Sequence, residues 1–300
     1  MIKIKSWVFV FFIIFSILFV GAVSLDVGIP SSGSVFNYTN VSYNLNSSET
    51  SDFYILKNRL KSNSANKLCD NIVFCNVSNV NAREGNNNVT IKVVSLDGDI
   101  ISKNIDFLVD TIPPRGISSV PRNGEDINNR VFSVKYNENN LKRIILYYGN
   151  TSLINNLTSQ NCSSGNKQVC NFYTNVSNFS GQTIKYWFEI LDIANNLANS
   201  SVKLVDVDTD KPNVLSKSYS IEGNRVSFNF QIEEENFDKI ILRDNSDRNP
   251  KWIRLCSRLS LGSCIKTKNF KDGIHNIDIK VYDHAENYAD IYINEIITIS

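Results

Sequence analysis

The feature that most constrains the fold of this chain is a repeat with a period of about 95 residues. Residues 140–146 (NLKRIIL) return as residues 236–242 (NFDKIIL), and Arg130-Val131 returns as Arg225-Val226. Residues 51–56 (SDFYIL) are a looser, earlier copy. A period of this length is enough for one small domain with its own core, so the chain is predicted to consist of like domains in tandem.

The last part of each repeat reads as a β-hairpin. In the third repeat a turn glycine, Gly273, precedes a stretch in which Ile277, Ile279 and Val281 share one face, and a polar turn follows at residues 282–289. The equivalent glycines of the other repeats are Gly85 and Gly181, and the equivalent turns are residues 96–99 and 191–198. A period of two with one apolar face indicates a half-buried antiparallel strand. The Asp and Asn residues after it favour a tight turn.

Prolines mark the boundaries between repeats. Residues 110–114 (DTIPP) separate the first repeat from the second, and residues 208–212 (DTDKP) separate the second from the third. Proline cannot donate to a central β-ladder, and it stiffens the segment that contains it. The chain is therefore predicted to be all-β, with three tandem antiparallel β-sandwich domains at residues 25–109, 110–207 and 208–300 after an N-terminal helix at residues 1–24.

The aspartate-to-proline starts and the D-x-A-x-N-x-A turns at Asp192 and Asp283 resemble the Ig-like and fibronectin-III-like modules of bacterial and archaeal surface proteins. The resemblance covers nearly the whole chain after residue 24. It implies that the sandwiches are Ig-like. It also implies a role as a stalk, an adhesin, a cell-envelope layer or a spacer beside enzymes.

The first 24 residues have the layout of an export signal. Lys3 and Lys5 precede an apolar run at residues 7–20, and small residues follow at 21–24. This order is typical of a signal peptide that is cleaved near the small residues. An uncleaved membrane anchor is the alternative, because the run is near the lower length limit of a spanning helix. Either form places the rest of the chain in the extracellular space or on the cell surface, with membrane contact only through this segment if it stays uncleaved.

Six cysteines fall into three close pairs, one in each repeat. The pairs are Cys69 with Cys75, Cys162 with Cys170, and Cys256 with Cys264. Six cysteines formally allow fifteen pairings, and the symmetry of the repeats selects the three local ones. Each bridge would close a small loop and contribute roughly 2–2.5 kcal/mol in the chain-entropy model. Disulfides persist in oxidising compartments, which agrees with export.

Eleven Asn-x-Ser/Thr sequons all lie in the first two repeats. They are Asn37, Asn40, Asn46, Asn76, Asn88, Asn150, Asn156, Asn161, Asn175, Asn178 and Asn199. Each is a candidate for N-glycosylation. The third repeat has none, although it is rich in asparagine. Random drift is one explanation, and a contact surface that is kept clear of glycans is the other.

Charge and motifs disfavour two classes of function. The net charge is +1, whereas a nucleic-acid binder usually has a strong basic excess. The sequence contains no phosphate-binding glycine loop and no zinc-protease motif, and its histidines, His275 and His284, lie in no recognised catalytic motif. We therefore expect a non-enzymatic protein with no catalytic residues, no cofactor and no nucleic-acid partner.

The segment before the third repeat is acidic. Asp206, Asp208 and Asp210 alternate ahead of Pro212 and are similar to the calcium-binding linker of cadherin repeats. Calcium takes six to eight oxygen ligands, so acids at residues 233–235 or in the Asp192 turn would have to complete the set. The alternative is a solvated strand end with outward-facing acids, and no other metal site is expected.

A basic run surrounds the last cysteine pair. Residues 248–271 contain seven Lys and Arg residues and no acid. The candidate binding residues within the run are Lys251, Trp252, Arg254 and Arg258, which would contact an anionic glycan or an acidic envelope surface. The alternative is that acids elsewhere in this nearly neutral repeat balance the run.

Stiff proline segments, local disulfides and sequons together predict a secreted or cell-surface glycoprotein with a structural or adhesive role, acting as a semi-rigid rod or interaction module. Its partner would be an acidic envelope polymer, a glycan or a surface protein. The alternative is a carbohydrate-binding accessory module that uses Trp252 with the basic run, or the exposed face around Trp187. A concave aromatic platform would distinguish that module from a rod.

Overall fold

The structure is a computed structural model that describes residues 22–57, 65–128 and 131–300. Within these residues it is all-β, as the sequence predicts, with 22 strands and a single turn of 3₁₀ helix at Ser177–Phe179. Residues 1–21, which hold nearly all of the predicted export signal, lie outside the described residues. In the part of the chain that is described, no helix is long and apolar enough to cross a membrane.

The chain forms two compact units, Met1–Thr111 and Ile112–Ser300. The described strands of the first unit are β1 (Leu25–Ile29), β2 (Val35–Phe36), β3 (Asn40–Lys57), β4 (Ala65–Asn81), β5 (Gly85–Ser95) and β6 (Ile100–Val109). They pair in the order β1-β3-β5-β6-β2, and β4 also pairs with β3. The long strand β3 pairs with β1 through residues 44–47 and with β5 through residues 51–57. Its register against β4 shifts between Asn46 and Ser51, where the strand passes from one partner to the other.

The first half of the second unit holds two sheets. Its strands are β7 (Arg115–Val120), β8 (Asp126–Ile127), β9 (Val131–Glu138), β10 (Leu141–Gly149), β11 (Ile154–Ser159), β12 (Gly165–Tyr173), β13 (Gln182–Asp192), β14 (Leu197–Asn199) and β15 (Lys203–Val207). One sheet has the order β11-β10-β13-β15-β8, with β14 beside β13, and the other has the order β12-β9-β7. The buried faces of both sheets contribute to one apolar cluster.

The second half of this unit repeats the arrangement. Its strands are β16 (Asn213–Glu222), β17 (Arg225–Glu233), β18 (Phe237–Asp244), β19 (Ile253–Cys256), β20 (Ser263–Asn269), β21 (Gly273–Asp283) and β22 (Tyr288–Ile299). The sheets have the orders β16-β17-β20 and β19-β18-β21-β22. They enclose a second apolar cluster, and the first unit has a cluster of its own. The boundaries of the three domains stay a prediction, because the two compact units group the second and third repeats together.

The alternation of apolar residues that predicts the hairpin strands is confirmed. In β21 the side chains of Ile277, Ile279 and Val281 are fully buried. One polar position departs from the pattern, because Asp278 is also buried. Its carboxylate accepts hydrogen bonds from the Arg243 guanidinium at 2.8 Å and from the Asn245 amide at 2.9 Å. Burial on its own would raise the pKa of Asp278, but a hydrogen bond from the Asn294 N–H at 2.8 Å, the two just named and the nearby guanidinium hold the pKa below its usual range.

Candidate functional site

Three disulfides are present, and each lies within one repeat. They are Cys69–Cys75, Cys162–Cys170 and Cys256–Cys264, the pairings that the symmetry of the repeats predicts. In the third repeat Cys256 ends β19 and Cys264 lies on β20. These two strands are edge strands of different sheets, so the bridge closes one side of the sandwich. We call this side, residues 248–271, the disulfide edge of the third repeat.

All four candidate binding residues lie on the disulfide edge. Lys251, Arg254 and Arg258 are exposed, and Trp252 is 37% exposed. The guanidinium carbon of Arg243, from the neighbouring strand β18, lies 4.7 Å from the ring centroid of Trp252. The indole is therefore packed against a cation at the rim of the disulfide edge and does not form an open aromatic platform.

Two lysines of β20 complete the basic surface. Lys266 is in register with Phe228, and Lys268 is in register with Val226. Both apolar partners are fully buried, and directly opposed residues of an antiparallel pair share a face. Both lysines therefore lie on the core-facing side of an edge strand. Lys266 is exposed, and the Lys268 ammonium lies 4.7 Å from the ring centroid of Phe270.

The seven cations of the disulfide edge have no ionic partner within the described residues. They are Arg248, Lys251, Arg254, Arg258, Lys266, Lys268 and Lys271, and none of them is in an ion pair. On the neighbouring strands the situation is different. Lys239 contacts Asp238 at 2.6 Å, Arg243 contacts Asp278 at 2.8 Å, and Lys280 contacts Asp290 at 3.3 Å. The positive field of the third repeat is thus concentrated at one edge.

A cluster of acids lies where the second and third repeats meet inside the second unit. Carboxylate oxygens of Asp208, Glu234 and Asp283 lie within 4.8 Å of one another. The side-chain amide of Asn236 donates to the Asp208 carboxylate at 3.1 Å, and that of Asn287 donates to the Asp208 carbonyl at 2.8 Å. We call this group the junction cluster. Glu234 is one of the acids at residues 233–235 that the sequence offers to complete a calcium set, whereas Asp283 was not predicted, although the D-x-A-x-N turn that holds it is visible in the sequence.

The junction cluster has oxygen ligands of the kind that calcium prefers. All three predicted calcium residues, Asp206, Asp208 and Asp210, line one open cleft together with Glu234 and Asp126. Only Asp208 belongs to the tight cluster. Asp206 instead accepts a hydrogen bond from the Thr183 hydroxyl, and Asp210 is exposed. Three converging carboxylates are fewer than the six to eight oxygens that calcium takes, so the calcium site stays a prediction.

Three carboxyl groups in and beside this cleft have raised pKa values. Burial raises the pKa of Glu234 and of Asp283, and the negative charge of Asp208 adds to the effect on both. Burial and the carboxylate of Asp206 likewise raise the pKa of Asp126. Like charges that share a cleft oppose one another's ionisation, so the cleft is poised to take up a proton or another cation.

The second repeat contains a matching pair of acids. Carboxylate oxygens of Glu138 and Asp192 lie within 4.8 Å of each other. The Glu138 carboxylate accepts the Asn140 N–H at 2.7 Å, as Glu234 accepts the Asn236 N–H at 2.8 Å. The acid pair is therefore a feature of the repeat itself, and part of its role is to fix the backbone turn beside it.

The two histidines lie in different surroundings. His275 is buried, with Nδ1 2.6 Å from a carboxylate oxygen of Asp244 and Nε2 2.8 Å from the Lys271 carbonyl. Burial lowers the pKa of His275, but the Lys271 carbonyl and the Asp244 carboxylate together raise it above the usual value. Both ring nitrogens are engaged by the protein. His284 is exposed, 4.0 Å from Asp126.

Ten of the eleven sequon asparagines are exposed, and Asn150 is the exception. The Asn150 side chain donates to the side-chain oxygen Oε1 of Gln182 at 2.9 Å and accepts the N–H groups of Ser152 and Leu153 at 2.9 and 2.8 Å. It therefore organises the turn between β10 and β11, while the other ten asparagines are accessible.

No protein-family model matches the chain, and no curated protein is similar to it. Solved structures to which it is similar are tandem fibronectin-III-like and adhesin modules. The FN1–FN3 domains of chicken CNTN1 are 10% identical over 92% of this chain and 99% of that chain, with a TM-score of 0.43. The fibronectin(III)-like modules of Clostridium thermocellum CbhA are 12% identical over 62% of this chain and 93% of that chain, with a TM-score of 0.33. A structure from a 1.5-MDa bacterial ice-binding adhesin is 11% identical over 89% of this chain and 94% of that chain, with a TM-score of 0.33. Structural similarity at this level of sequence identity and TM-score does not indicate a function for this chain.

Proposed function

We propose that the chain is a non-enzymatic protein of the cell surface or extracellular space, in which tandem Ig-like sandwiches form a semi-rigid rod that holds or presents a binding surface. Three disulfides support an oxidising compartment. The layout of the first 24 residues supports export, and exposed sequons fit a surface that carries glycans.

The observation that carries the proposal is the short, hydrogen-bonded connection between the second and third repeats. Residues 208–212 are all that separates β15 from β16, and Pro212 is among them. The backbone N–H of Asp208 donates to the Ile127 carbonyl at 2.9 Å. Its carboxylate and its carbonyl accept from Asn236 and Asn287. A linker residue that is tied to both of its neighbours restricts bending at the connection.

The carbohydrate-binding alternative stays a prediction, because both indoles on which it relies are already packed. The ring of Trp187 stacks on Tyr147 with centroids 4.9 Å apart and an interplanar angle of 11°. Trp252 lies against Arg243. A flat aromatic platform would require these rings to turn away from their present partners.

Small-angle X-ray scattering of the exported chain tests the rod. A compact particle of the mature length has a radius of gyration of roughly 19 Å, and we expect a clearly larger value together with an elongated distance distribution. A value near the compact expectation would contradict the proposal.

Sequencing the N-terminus of the exported protein tests the signal, with cleavage after Ala22 or Ser24 as the expected result.

A further inference from the structure

We propose that the disulfide edge of the third repeat is a docking site for a linear anionic polysaccharide, a polymer that carries carboxylate or sulfate groups along its length. The inference rests on the proposed location outside the cell and names the chemistry of the partner. It is independent of whether the chain is a rod.

The disulfide places the two halves of the basic run side by side. Arg254 lies on β19 and Lys266 on β20, and these strands belong to different sheets. The Cys256–Cys264 bridge joins them with a Cα–Cα distance of 6.2 Å. Residues that are ten or more positions apart in the sequence therefore lie at one edge of the sandwich, and we call the cations of this edge the basic strip.

The cations of this strip repel one another, and none of them is paired with an acid of the described residues. Lys266 and Lys268 are two positions apart on one strand, roughly 7 Å along its axis, which is within a Debye length of about 8 Å at physiological ionic strength. Asp247 and Asp272 bound the run in the sequence, and neither forms an ion pair with a described cation. A partner that supplies several spaced negative charges would relieve this repulsion.

The acids that make the third repeat nearly neutral lie elsewhere. One set neutralises cations on β18 and β21, as Asp278 does for Arg243. Another set forms the junction cluster around Asp208. Because positive and negative groups are segregated and not interspersed, the repeat presents a basic strip to a polyanion despite its small net charge.

The corresponding edge of the second repeat carries few cations and several sequons. There β11 pairs with β10 and β12 pairs with β9, which matches the pairing of β19 with β18 and of β20 with β17. Residues 150–173 contain a single cation, Lys167, and three sequons, at Asn150, Asn156 and Asn161. Attached glycans would cover that edge, whereas the disulfide edge of the third repeat has no sequon and stays accessible.

A polysaccharide fits this strip better than the other polyanions do. Charged residues are depleted from the cores of protein–protein interfaces because their desolvation is costly, and seven cations would have to be desolvated against a folded partner. The negative surface potential of membranes that attracts basic segments belongs to the cytoplasmic leaflet, which an exported chain does not face. A hydrated linear polymer can follow an edge strand and leave the lysine and arginine stems in water.

Binding of the full exported chain to immobilised polymers tests the proposal. The probes are alginate as the carboxylated chain, dextran sulfate as the sulfated chain and uncharged dextran as the neutral control. We expect binding to at least one charged polymer, a steep loss of affinity with added salt, and no binding to dextran. The variant Lys251→Glu, Arg254→Glu, Arg258→Glu should bind at least tenfold more weakly, and its log–log salt slope should fall by roughly three.

A matched variant reverses three exposed cations elsewhere, Lys103→Glu, Lys135→Glu and Arg225→Glu, and makes the same change in net charge. It should bind like the wild type. A milder variant, Lys251→Gln, Arg254→Gln, Arg258→Gln, should show an intermediate loss, and disulfide mapping of each variant reports whether the third repeat is folded.

Three outcomes would overturn the proposal. They are no binding to either charged polymer at low salt, equal binding by the wild type and the Lys251/Arg254/Arg258 reversal variant, and tighter binding to poly-glutamate, duplex DNA or phosphatidylglycerol vesicles than to both polysaccharides. An elongated particle that fails to bind would reject this inference and leave the proposed rod standing. A compact particle that binds would reject the proposed rod and support the polysaccharide site.

Discussion

The side-chain amide of Asn287 donates one hydrogen bond to the backbone carbonyl of Asp208 and another to the carboxylate of Asp283, each 2.8 Å long. The side-chain oxygen of Asn287 accepts a third, from the Asn128 amide at 3.2 Å. One asparagine in the hairpin turn of the third repeat therefore contacts its own strand, the linker and the second repeat. Its removal should affect the connection more than the fold of either sandwich.

Asn287→Ala should lower the free energy of unfolding by about 2 kcal/mol, because it removes the side-chain donor of the Asp208 carbonyl and one donor of the Asp283 carboxylate. The backbone N–H of residue 287 still donates to that carboxylate. Urea unfolding of the exported chain measures the change. Asn229→Ala, at an exposed position of β17, is the control and should have almost no effect. Equal stability of the two variants would show that the Asn287 contacts do not support the connection.

Glu234→Gln should stabilise the protein at pH 7. The pKa of Glu234 is raised by burial and by nearby acids, so its stabilising contribution is present below its unfolded value of about 4.3 and is lost as the pH rises through the folded pKa. Glutamine removes this loss and can still accept the Asn236 N–H. Thermal unfolding should show a higher Tm for the variant at pH 7 and little difference near pH 4. A lower Tm at pH 7 would contradict the raised pKa.

His275→Gln should destabilise the protein, and most strongly at low pH. The raised pKa of His275 means that its ionised form stabilises the folded state. That contribution is complete below the unfolded value of about 6.5 and is lost as the pH rises through the folded pKa. The stability difference between wild type and variant should therefore be larger at pH 5.5 than at pH 8.5. An NMR titration in which His275 ionises below pH 6.5 would rule this out.

Replacing Cys256 and Cys264 together by alanine should cost about 2.5 kcal/mol, the chain-entropy value for a loop of this length. The cysteines are eight positions apart. Denaturant unfolding of the exported protein measures the loss. The double variant should also bind charged polysaccharide more weakly, because β19 and β20 are no longer held together. Unchanged stability would mean that the bridge does not restrict the unfolded chain.

Occupancy of the eleven sequons should be uneven if the exported chain is glycosylated. Asn150 should carry the least glycan, because a glycan on its amide nitrogen disturbs the hydrogen bond to Gln182 and the turn that the same side chain supports. Glycopeptide mass spectrometry measures occupancy, with the exposed Asn156, on the adjoining strand, as the comparison. Higher occupancy at Asn150 than at Asn156 would contradict the expectation.

The strands could be predicted from the sequence because their signal is local. Burial of Ile277, Ile279 and Val281 follows from a period of two, and any sheet that covers one face of the strand gives the same result. Burial of Asp278 could not be predicted in this way. It depends on donors from Arg243 and Asn245, which reach it only after a neighbouring strand and turn have taken their places.

The candidate site was only partly predictable, for a similar reason. The sequence shows that Lys251, Arg254 and Arg258 lie in an acid-free run, but their lack of a partner is a property of the folded repeat. The alternating acids of the linker predict that Asp206 and Asp208 act together. The junction cluster instead joins Asp208 to Glu234, one of the acids at residues 233–235 that the sequence offers to complete the set, and to Asp283, which only the tertiary structure brings near.

The bridge between Cys256 and Cys264 would also affect how the chain withstands proteases at the proposed location outside the cell. The loop that it spans is accessible, with Arg258 exposed and Leu261 almost fully so. Exposed loop tips of this kind are preferred cleavage sites. A cut after Arg258 would break the polypeptide, yet both ends would stay covalently attached through the sulfur atoms, and β19 and β20 would keep their places in the two sheets. Such a nicked molecule would run as one species on a non-reducing gel and as two after reduction.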